Sequence, residues 1–292
     1  MKNVFQNKFP LSAYLELTKP RILSLVLVTT AIGFFLGNHG VLLISKLLIT
    51  LMGAGLVCAG ASVLNQYLER DSDSRMERTK RRPLPLGIIS ANNALIFGIL
   101  LVLFGVAILA IKINILTAFL SLLTAFLYVL VYTPLKKISW LNTTIGAIPG
   151  AIPPMGGWAA ASGELDLGAW ILFLVLFIWQ HPHFYAIAWI FKDDYRRGGF
   201  KMLPVIDQGG SRTFEQINFF SWILVPISLF PSLIGMSGKV YLYGALILSL
   251  GLLIIGQIFI LTKSNEDARR LLKATVFYLP ILLFLIVLDC SF

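Results

Sequence analysis

The strongest constraint on this fold is a series of apolar stretches, each roughly 20 residues long, that recurs along the 292-residue chain. A helix of that length crosses the hydrocarbon core of a bilayer, and hydrophobic residues make up 57% of the sequence. We therefore predict an all-α, polytopic membrane protein that forms a single integral membrane domain over residues 1–292. Nine spanning helices are expected, near residues 21–37, 41–64, 90–111, 113–133, 142–161, 168–191, 215–236, 240–262 and 274–290.

The positive charges fall on one side of this helix series. Counted through alternate loops, 21 of the 24 Lys and Arg residues lie on the same side of the membrane. Because such residues near helix ends resist translocation, we expect a cytoplasmic N-terminus and an external C-terminus. Topology and attraction to anionic membrane lipid account for the net charge of +10, so nucleic acid is not an expected partner. No apolar signal region opens the sequence, which favours a bacterial inner membrane.

One short segment, NQYLERDSDSRMERTKRR at 65–82, concentrates charge between two apolar runs. Asn65, Glu69 and Asp73 are four residues apart, so they share one helix face at the membrane boundary. Like charges at this spacing repel each other, and a hard cation such as Mg²⁺ removes the repulsion. We predict that these three residues bind a divalent metal and form the catalytic centre.

Basic residues on the same side of the membrane are candidates for binding diphosphate, because guanidinium and ammonium groups pair with phosphate oxygens. For any single base, a role in membrane topology is the simpler explanation. The candidates are Arg70, Arg75, Arg78, Arg82, Lys136, Lys137, Arg197 and Lys201.

A second acidic segment, DDYRRGGFKMLP at 193–204, resembles the acidic motif at 65–83 and lies about four predicted helices later. This likeness predicts an internal duplication. Two acid clusters that face each other can hold two metal ions around one diphosphate, so Asp193 and Asp194 join the predicted metal ligands. Taken alone, either aspartate is better explained as interfacial charge.

Two of the predicted spans contain unusual residues. IGAIPGAIPPMGG at 145–157 carries three prolines and four glycines, which predicts irregular backbone beside a cavity. WQHPHF at 179–184 places His183 roughly 13 Å from the helix end at Lys192, and ionisable groups at that depth are site candidates. A hydrogen bond to a neighbouring backbone is an equal alternative for His183 and the favoured one for His181.

Taken together and in order, these motifs resemble the UbiA-type intramembrane prenyltransferases, and within that superfamily the protoheme IX farnesyltransferases. The departure from the family pattern is Glu69, where the family usually has Asp. The resemblance rests on the pattern from Asn65 to Pro83, on YTPLKK at 132–137, IGAIPGAIPPMGGW at 145–158, WQHPHF at 179–184 and DDYRRGGFKMLPV at 193–205.

The resemblance implies nine helices around a central cavity, with both acidic motifs holding Mg²⁺ and farnesyl diphosphate. It implies transfer of the farnesyl group to a vinyl group of heme b with addition of water, which gives heme O and diphosphate. The expected heme contacts are His183, Trp179 and Gln180. A heme A synthase or a terminal oxidase assembly is the protein partner that this activity suggests.

Other functions remain open on the residues alone. A quinone-pathway prenyltransferase of the 4-hydroxybenzoate type would share the acidic motifs but not WQHPHF. A secondary transporter would also have internal repeats and a midplane site, but it would need no divalent metal. A noncatalytic assembly subunit of an oxidase has no evident use for an acidic stripe.

Overall fold

The described part of the chain is built from helices. The computed structural model describes residues 10–291, and within this range the only strand-like pairing is an isolated bridge between Ser237 and Cys290. The predicted all-α class is therefore confirmed. The elements are α1 (Pro10–Leu17), α2 (Pro20–Gly37), α3 (Ile44–Asp73), α4 (Ala91–Lys112), α5 (Ile115–Phe126), a π-helical turn (Leu127–Tyr132), α6 (Thr133–Ile138), α7 (Asn142–Ser162), α8 (Leu167–Ile190), α9 (Lys192–Arg197), α10 (Leu203–Ile206), α11 (Ser211–Leu233), α12 (Lys239–Thr262) and α13 (Asn265–Leu288).

Eight segments within residues 10–291 are long and apolar enough to cross a membrane. Seven of them are α2, α3, α4, α8, α11, α12 and α13, and the eighth is the continuous segment Ile115–Ile138. These eight coincide with eight of the nine predicted spans. The ninth, α7, is a helix of 21 residues that contains several glycines, prolines and threonines and is not among these eight.

The irregular backbone predicted for residues 145–157 is not found. α7 stays helical from Asn142 to Ser162, with Pro149, Pro153 and Pro154 inside it. Each proline removes one backbone hydrogen bond, and neighbouring helices compensate in a membrane protein. α7 packs against α2, α5 and α8 and is largely buried among them.

Glycines bring α2 and α7 into backbone contact. A Cβ atom on Gly33 of α2 would lie 2.0 Å from the carbonyl oxygen of Pro154 in α7. A Cβ atom on Gly157 of α7 would lie 1.9 Å from the carbonyl oxygen of Thr30 in α2. Small residues of this kind let membrane helices approach closely and gain van der Waals contact. The position of α2 is therefore set by α7.

The polar segments meet at one end of the helix bundle. α3 continues as one helix to Asp73, so the predicted acidic stripe is helical over its whole length. The backbone N–H of Glu77 donates to Asp194 of α9 at 2.9 Å, and the backbone N–H of Lys201 donates to the Lys136 carbonyl of α6 at 2.6 Å. We call this region the charged end and define it as residues 65–82, 132–137 and 192–201.

Adding a methyl group at Gly157 should weaken the contact between α2 and α7. The new Cβ would lie 1.9 Å from the Thr30 carbonyl oxygen, and overpacking of this kind costs about 1–3 kcal/mol. We expect Gly157→Ala to lower the thermal unfolding temperature of the purified protein in detergent. Gly156→Ala is the matched control, because nothing lies within 4 Å of a Cβ at Gly156. Equal unfolding temperatures for the two variants would contradict this packing.

Candidate active site

The three predicted metal ligands occupy one buried face of α3. Asn65, Glu69 and Asp73 are only 1%, 5% and 1% exposed, although α3 ends at Asp73. Carboxylates removed from water to this degree are costly unless cations or hydrogen-bond donors meet them. The four-residue spacing predicted a shared face, and the structure places that face inside the protein.

Each of the two carboxylates on this face meets a basic side chain. Nζ of Lys136 in α6 donates to Oε1 of Glu69 at 2.8 Å. Nη1 of Arg82, from the segment after α3, donates to Oδ2 of Asp73 at 2.7 Å. Lys136 and Arg82 are both predicted diphosphate ligands. The structure therefore brings two predicted diphosphate ligands against the predicted metal ligands.

Lys19 is a residue of this site that sequence analysis counted only as a topology determinant. It lies between α1 and α2 with a φ of 52°, a left-handed conformation that costs a non-glycine residue about 1–3 kcal/mol. Its Nζ donates to Oδ1 of Asn65 at 2.7 Å and to the Tyr128 hydroxyl at 3.4 Å. Burial, together with the positive charge of Arg82, lowers the pKa of Lys19 to about 7. The only feature of the sequence that could have indicated its role is its position before Pro20, at the start of a span and on the same side of the membrane as the acidic motifs.

A π-helical turn packs against α3. Such turns are often found at functional sites, and this one spans Leu127–Tyr132. The Thr133 hydroxyl donates to the Tyr128 carbonyl at 2.8 Å, so its oxygen accepts from Nδ2 of Asn65 at 2.9 Å. This contact turns Oδ1 of Asn65 toward Lys19. An aspartate at position 65 would have no N–H for Thr133, which explains the amide in the stripe.

One carboxylate oxygen of this face has no protein partner. Oδ1 of Asp73 is buried without a hydrogen bond in the described structure, whereas Oδ2 is held by Arg82. Mg²⁺ favours one or two carboxylates, completed by phosphate oxygens and water. An unpartnered oxygen beside the Glu69 carboxylate and the Asn65 amide therefore fits a divalent metal. Within residues 10–291 no group of three His, Cys, Asp or Glu side chains is arranged to hold a metal ion, and the metal role of Asn65, Glu69 and Asp73 stays a prediction.

Asp194 holds the segment that follows the acidic stripe. Its carboxylate accepts the backbone N–H of Glu77 at 2.9 Å and that of Arg78 at 3.1 Å, and Arg197 donates to it at 2.5 Å. Burial alone would raise the pKa of Asp194, but the hydrogen bonds from Arg197, Glu77 and Arg78 hold it below its usual range. In this structure Asp194 is a clamp on the loop, and its role as a metal ligand stays a prediction.

Asp193 lies on the exposed surface of α9, where Oδ1 accepts from Arg196 at 2.8 Å. Each of these two aspartates is paired with an arginine of its own short helix. A second acid cluster that faces α3 stays a prediction. The internal duplication of the two acidic motifs stays a prediction.

The other bases predicted to bind diphosphate lie at the rim of the charged end. Arg70 is half-buried, donates to the Tyr67 carbonyl at 2.9 Å and lies over the Tyr67 ring at 4.8 Å. The remaining five are exposed, and their roles toward diphosphate stay predictions: Arg75, Arg78, Lys137, Arg197 and Lys201.

Trp179 and His183 of α8 form one unit with α13. The indole Nε1 of Trp179 donates to the Thr275 carbonyl at 3.0 Å, and its ring stacks on His183 with the centroids 5.1 Å apart. The Thr275 hydroxyl donates to the Leu272 carbonyl at 2.7 Å, so its oxygen accepts from Nδ1 of His183 at 2.9 Å. A neutral His183 therefore carries its proton on Nδ1 and presents an unprotonated Nε2.

Gln180 and His181 serve the packing of α8. Gln180 is buried, and its Nε2 donates to the Ala147 carbonyl of α7 at 3.2 Å. His181 is fully buried, with Nδ1 2.8 Å from the Phe177 carbonyl and its ring stacked on Phe220 at 3.5 Å between centroids. Structural hydrogen bonding was the favoured alternative for His181. For Gln180 the described contact links α8 to α7, and its predicted contact with heme stays a prediction.

Known proteins are similar in sequence to this chain over nearly its whole length. The sequence profile of the UbiA prenyltransferase family matches residues 26–282. The protoheme IX farnesyltransferase of Solibacter usitatus is 45% identical over 285 residues, which cover 94% of this chain and 98% of that protein. The protoheme IX farnesyltransferase of Salinibacter ruber is 42% identical over 276 residues and covers the same shares of the two chains.

Solved structures share the fold at lower identity. A structure of a digeranylgeranylglyceryl phosphate synthase aligns with a TM-score of 0.82 at 21% identity, covering 96% of this chain and 98% of that one. A UbiA homologue from Archaeoglobus fulgidus, bound to GPP and Mg²⁺, aligns with a TM-score of 0.64 at 17% identity, covering 94% and 99%. By sequence profile, by relatives of the same length and by fold, this chain belongs to the UbiA prenyltransferase family.

Proposed function

We propose that this protein transfers the farnesyl group of farnesyl diphosphate to a vinyl group of heme b and adds water, giving heme O and diphosphate. The observation that carries the proposal is the buried face of α3, where two carboxylates and one amide oxygen each meet a basic side chain. Prenyl transfer needs oxygen ligands for a metal and positive groups for the departing diphosphate. Relatives that are 38–45% identical and named protoheme IX farnesyltransferase support heme as the acceptor.

Asn65, Glu69 and Asp73 are the proposed ligands of Mg²⁺. Arg82 contacts only one oxygen of Asp73, so the unpartnered Oδ1 is available to a metal. Mg²⁺ bound there would supply positive charge that stabilises the leaving diphosphate. The Archaeoglobus fulgidus homologue, which binds GPP together with Mg²⁺, supports this use of a divalent metal.

Asp193 and Asp194 are proposed as further metal ligands once substrate is bound. This role requires Arg196 and Arg197 to release the two carboxylates and to turn to the diphosphate. Both arginines are exposed and lie at the charged end, so such a movement crosses no packed core. The loop that Asp194 holds would then be fixed by the ligand.

Lys136 and Arg82 are proposed to stabilise negative charge as the bond between farnesyl C1 and the diphosphate oxygen breaks. The electron pair of that bond leaves with diphosphate, and C1 forms a bond to the terminal carbon of the vinyl group. Water then adds to the cation beside the porphyrin and loses a proton, which leaves the hydroxyl group of heme O. The proposed role of the rim bases is to attract and hold the diphosphate: Arg70, Arg75, Arg78, Lys137, Arg197 and Lys201.

Trp179 and His183 are the proposed heme contacts. His183 presents an unprotonated Nε2, the form in which imidazole binds metal, and the hydrogen bond from its Nδ1 to the Thr275 hydroxyl holds the ring in place. Trp179 adds an aromatic ring stacked on that imidazole. Gln180 is bonded to Ala147 of α7, so we propose that it acts by placing α7 beside α8.

The protein crosses the membrane several times, and membrane lipid surrounds its apolar exterior. We propose a bacterial inner membrane with the N-terminus in the cytoplasm and the C-terminus outside, because 21 of the 24 Lys and Arg residues fall on one side. The charged end then opens to the cytoplasm, where diphosphate is released. A heme A synthase, which would consume heme O, is the proposed protein partner, with the terminal oxidase assembly as the alternative.

Analysis of products tests the proposed function. We expect heme extracted from cells that express this chain to include a species heavier than heme b by one farnesyl group and one hydroxyl group. In vitro, the purified protein with farnesyl diphosphate and Mg²⁺ should prenylate heme b and leave 4-hydroxybenzoate unchanged. Farnesylation of the phenol alone would contradict the proposal and favour the quinone pathway.

Replacing Asp73 with Asn should nearly abolish diphosphate release in detergent. The substitution removes a charged metal ligand, for which we expect a loss of about 10²-fold or more in turnover. Asp71→Asn is the matched control, because Asp71 lies two residues away but is exposed, 3.8 Å from Arg70. Residual turnover above about a tenth in Asp73→Asn, or an equal loss in both variants, would argue against a metal role for Asp73.

Replacing His183 with Ala should weaken the use of heme more than the binding of farnesyl diphosphate. Thr275→Val keeps the volume of the neighbouring side chain but removes the acceptor of the His183 Nδ1 proton, and it should show a smaller loss of the same kind. Separate titrations of heme b and of farnesyl diphosphate measure the two affinities. Equal losses for the two substrates would identify His183 as a structural residue.

A further inference from the structure

In its protonated form, Lys19 gives the cluster on α3 an excess of positive charge. The two other basic residues of the cluster pair with carboxylates, as described above, whereas the partner of Lys19 is the uncharged amide of Asn65. The cluster therefore holds three basic side chains and two acids. Lys19 is half-buried, and a charge removed from water without an opposite partner is costly, so a ligand that supplies negative charge would be favoured beside it.

The conformation of Lys19 indicates that its inward direction is functional. Lysines that only mark topology extend their flexible stems to water at the membrane surface. Lys19 instead adopts a left-handed backbone conformation before Pro20 and brings Nζ within 2.7 Å of Oδ1 of Asn65. Its ammonium also reaches the hydroxyl of Tyr128, in the π-helical turn, at 3.4 Å. Strained backbone of this kind persists where surrounding contacts enforce it, and it clusters at functional sites.

We propose that Lys19 makes metal binding at this site depend on diphosphate. Its ammonium opposes a divalent ion that approaches Asn65 alone, and it favours the ion that arrives together with diphosphate. This inference rests on the proposed function, because it takes the buried face of α3 as the site of metal and diphosphate.

The position of Lys19 explains why its ammonium opposes binding of a metal ion alone. A Mg²⁺ ion ligated by Oδ1 of Asn65 would lie about 2.1 Å from that oxygen. Nζ of Lys19 lies 2.7 Å from the same oxygen, so the two cations would be within about 5 Å of each other. At this separation inside a protein, the repulsion weakens metal binding by about an order of magnitude or more.

Diphosphate reverses the sign of the interaction. It brings several negative charges that contact both the metal and the Lys19 ammonium, so that the excess positive charge becomes favourable. The free protein is then poor in bound metal, and metal and diphosphate bind and leave together. Lys19 thus contributes to the order of binding as well as to affinity.

Two binding measurements on the purified full-length protein test this inference. Electron paramagnetic resonance measures binding of Mn²⁺ alone, and calorimetry measures binding of inorganic diphosphate in saturating Mn²⁺. We expect Lys19→Met to bind Mn²⁺ alone about tenfold more tightly and diphosphate about tenfold more weakly than the unchanged protein. Lys19→Arg keeps the charge and should bind Mn²⁺ alone as weakly as the unchanged protein. Lys80→Met removes an exposed lysine that pairs with Glu77 and should alter neither affinity.

Opposite changes of the two affinities in Lys19→Met support the inference. Parallel losses would identify a merely structural lysine, and no change in either affinity would exclude a role at the site, so both results overturn it. The assay contains neither heme nor a farnesyl group. A protein that shows the opposite changes yet makes no heme O would refute the proposed acceptor and leave the role of Lys19 intact.

Discussion

The cost of burying charge at one end of a membrane protein is the constraint on which the site depends. A carboxylate or ammonium removed from water loses several kcal/mol of solvation unless an opposite charge and hydrogen bonds replace it. Glu69 and Asp73 of α3 meet this requirement through Lys136 and Arg82, which come from α6 and from the segment after α3. Without ligand, these pairs supply each of the two buried carboxylates with an opposite charge. Diphosphate and a divalent metal offer each partner a new counter-charge, so binding can exchange the pairs without leaving a charge unmatched.

The packing of the helices positions the polar side chains that take part in this exchange of charge partners. Glycines 33 and 157 hold α2 against α7 backbone to backbone, and Lys19 lies directly before the first residue of α2. On the other side, the π-helical turn places Thr133 where it orients the amide of Asn65. The way the helices pack in the apolar interior therefore determines where the polar side chains at the charged end point.

Much of the fold and part of the site can be read from the sequence. Apolar length predicts eight of the spans, because backbone in lipid must satisfy its hydrogen bonds within helices or barrels. The four-residue spacing predicts the shared face from Asn65 to Asp73. The role of Lys19 and the π-helical turn cannot be predicted in this way. The direction in which a lysine side chain points depends on contacts distant in sequence, and so does the extra residue in a helical turn. Composition also cannot separate a metal ligand from a loop clamp at Asp194, since both require a carboxylate beside bases.

The most direct test of this account is an experimental structure of the protein with Mn²⁺ and a farnesyl thiodiphosphate that resists cleavage. Anomalous scattering locates the metal independently of the protein coordinates. The account predicts Mn²⁺ within about 2.3 Å of oxygens from Asn65, Glu69 or Asp73, with Lys136 and Arg82 turned to the thiodiphosphate. A metal and a thiodiphosphate bound elsewhere, with both buried ion pairs on α3 intact, would contradict it.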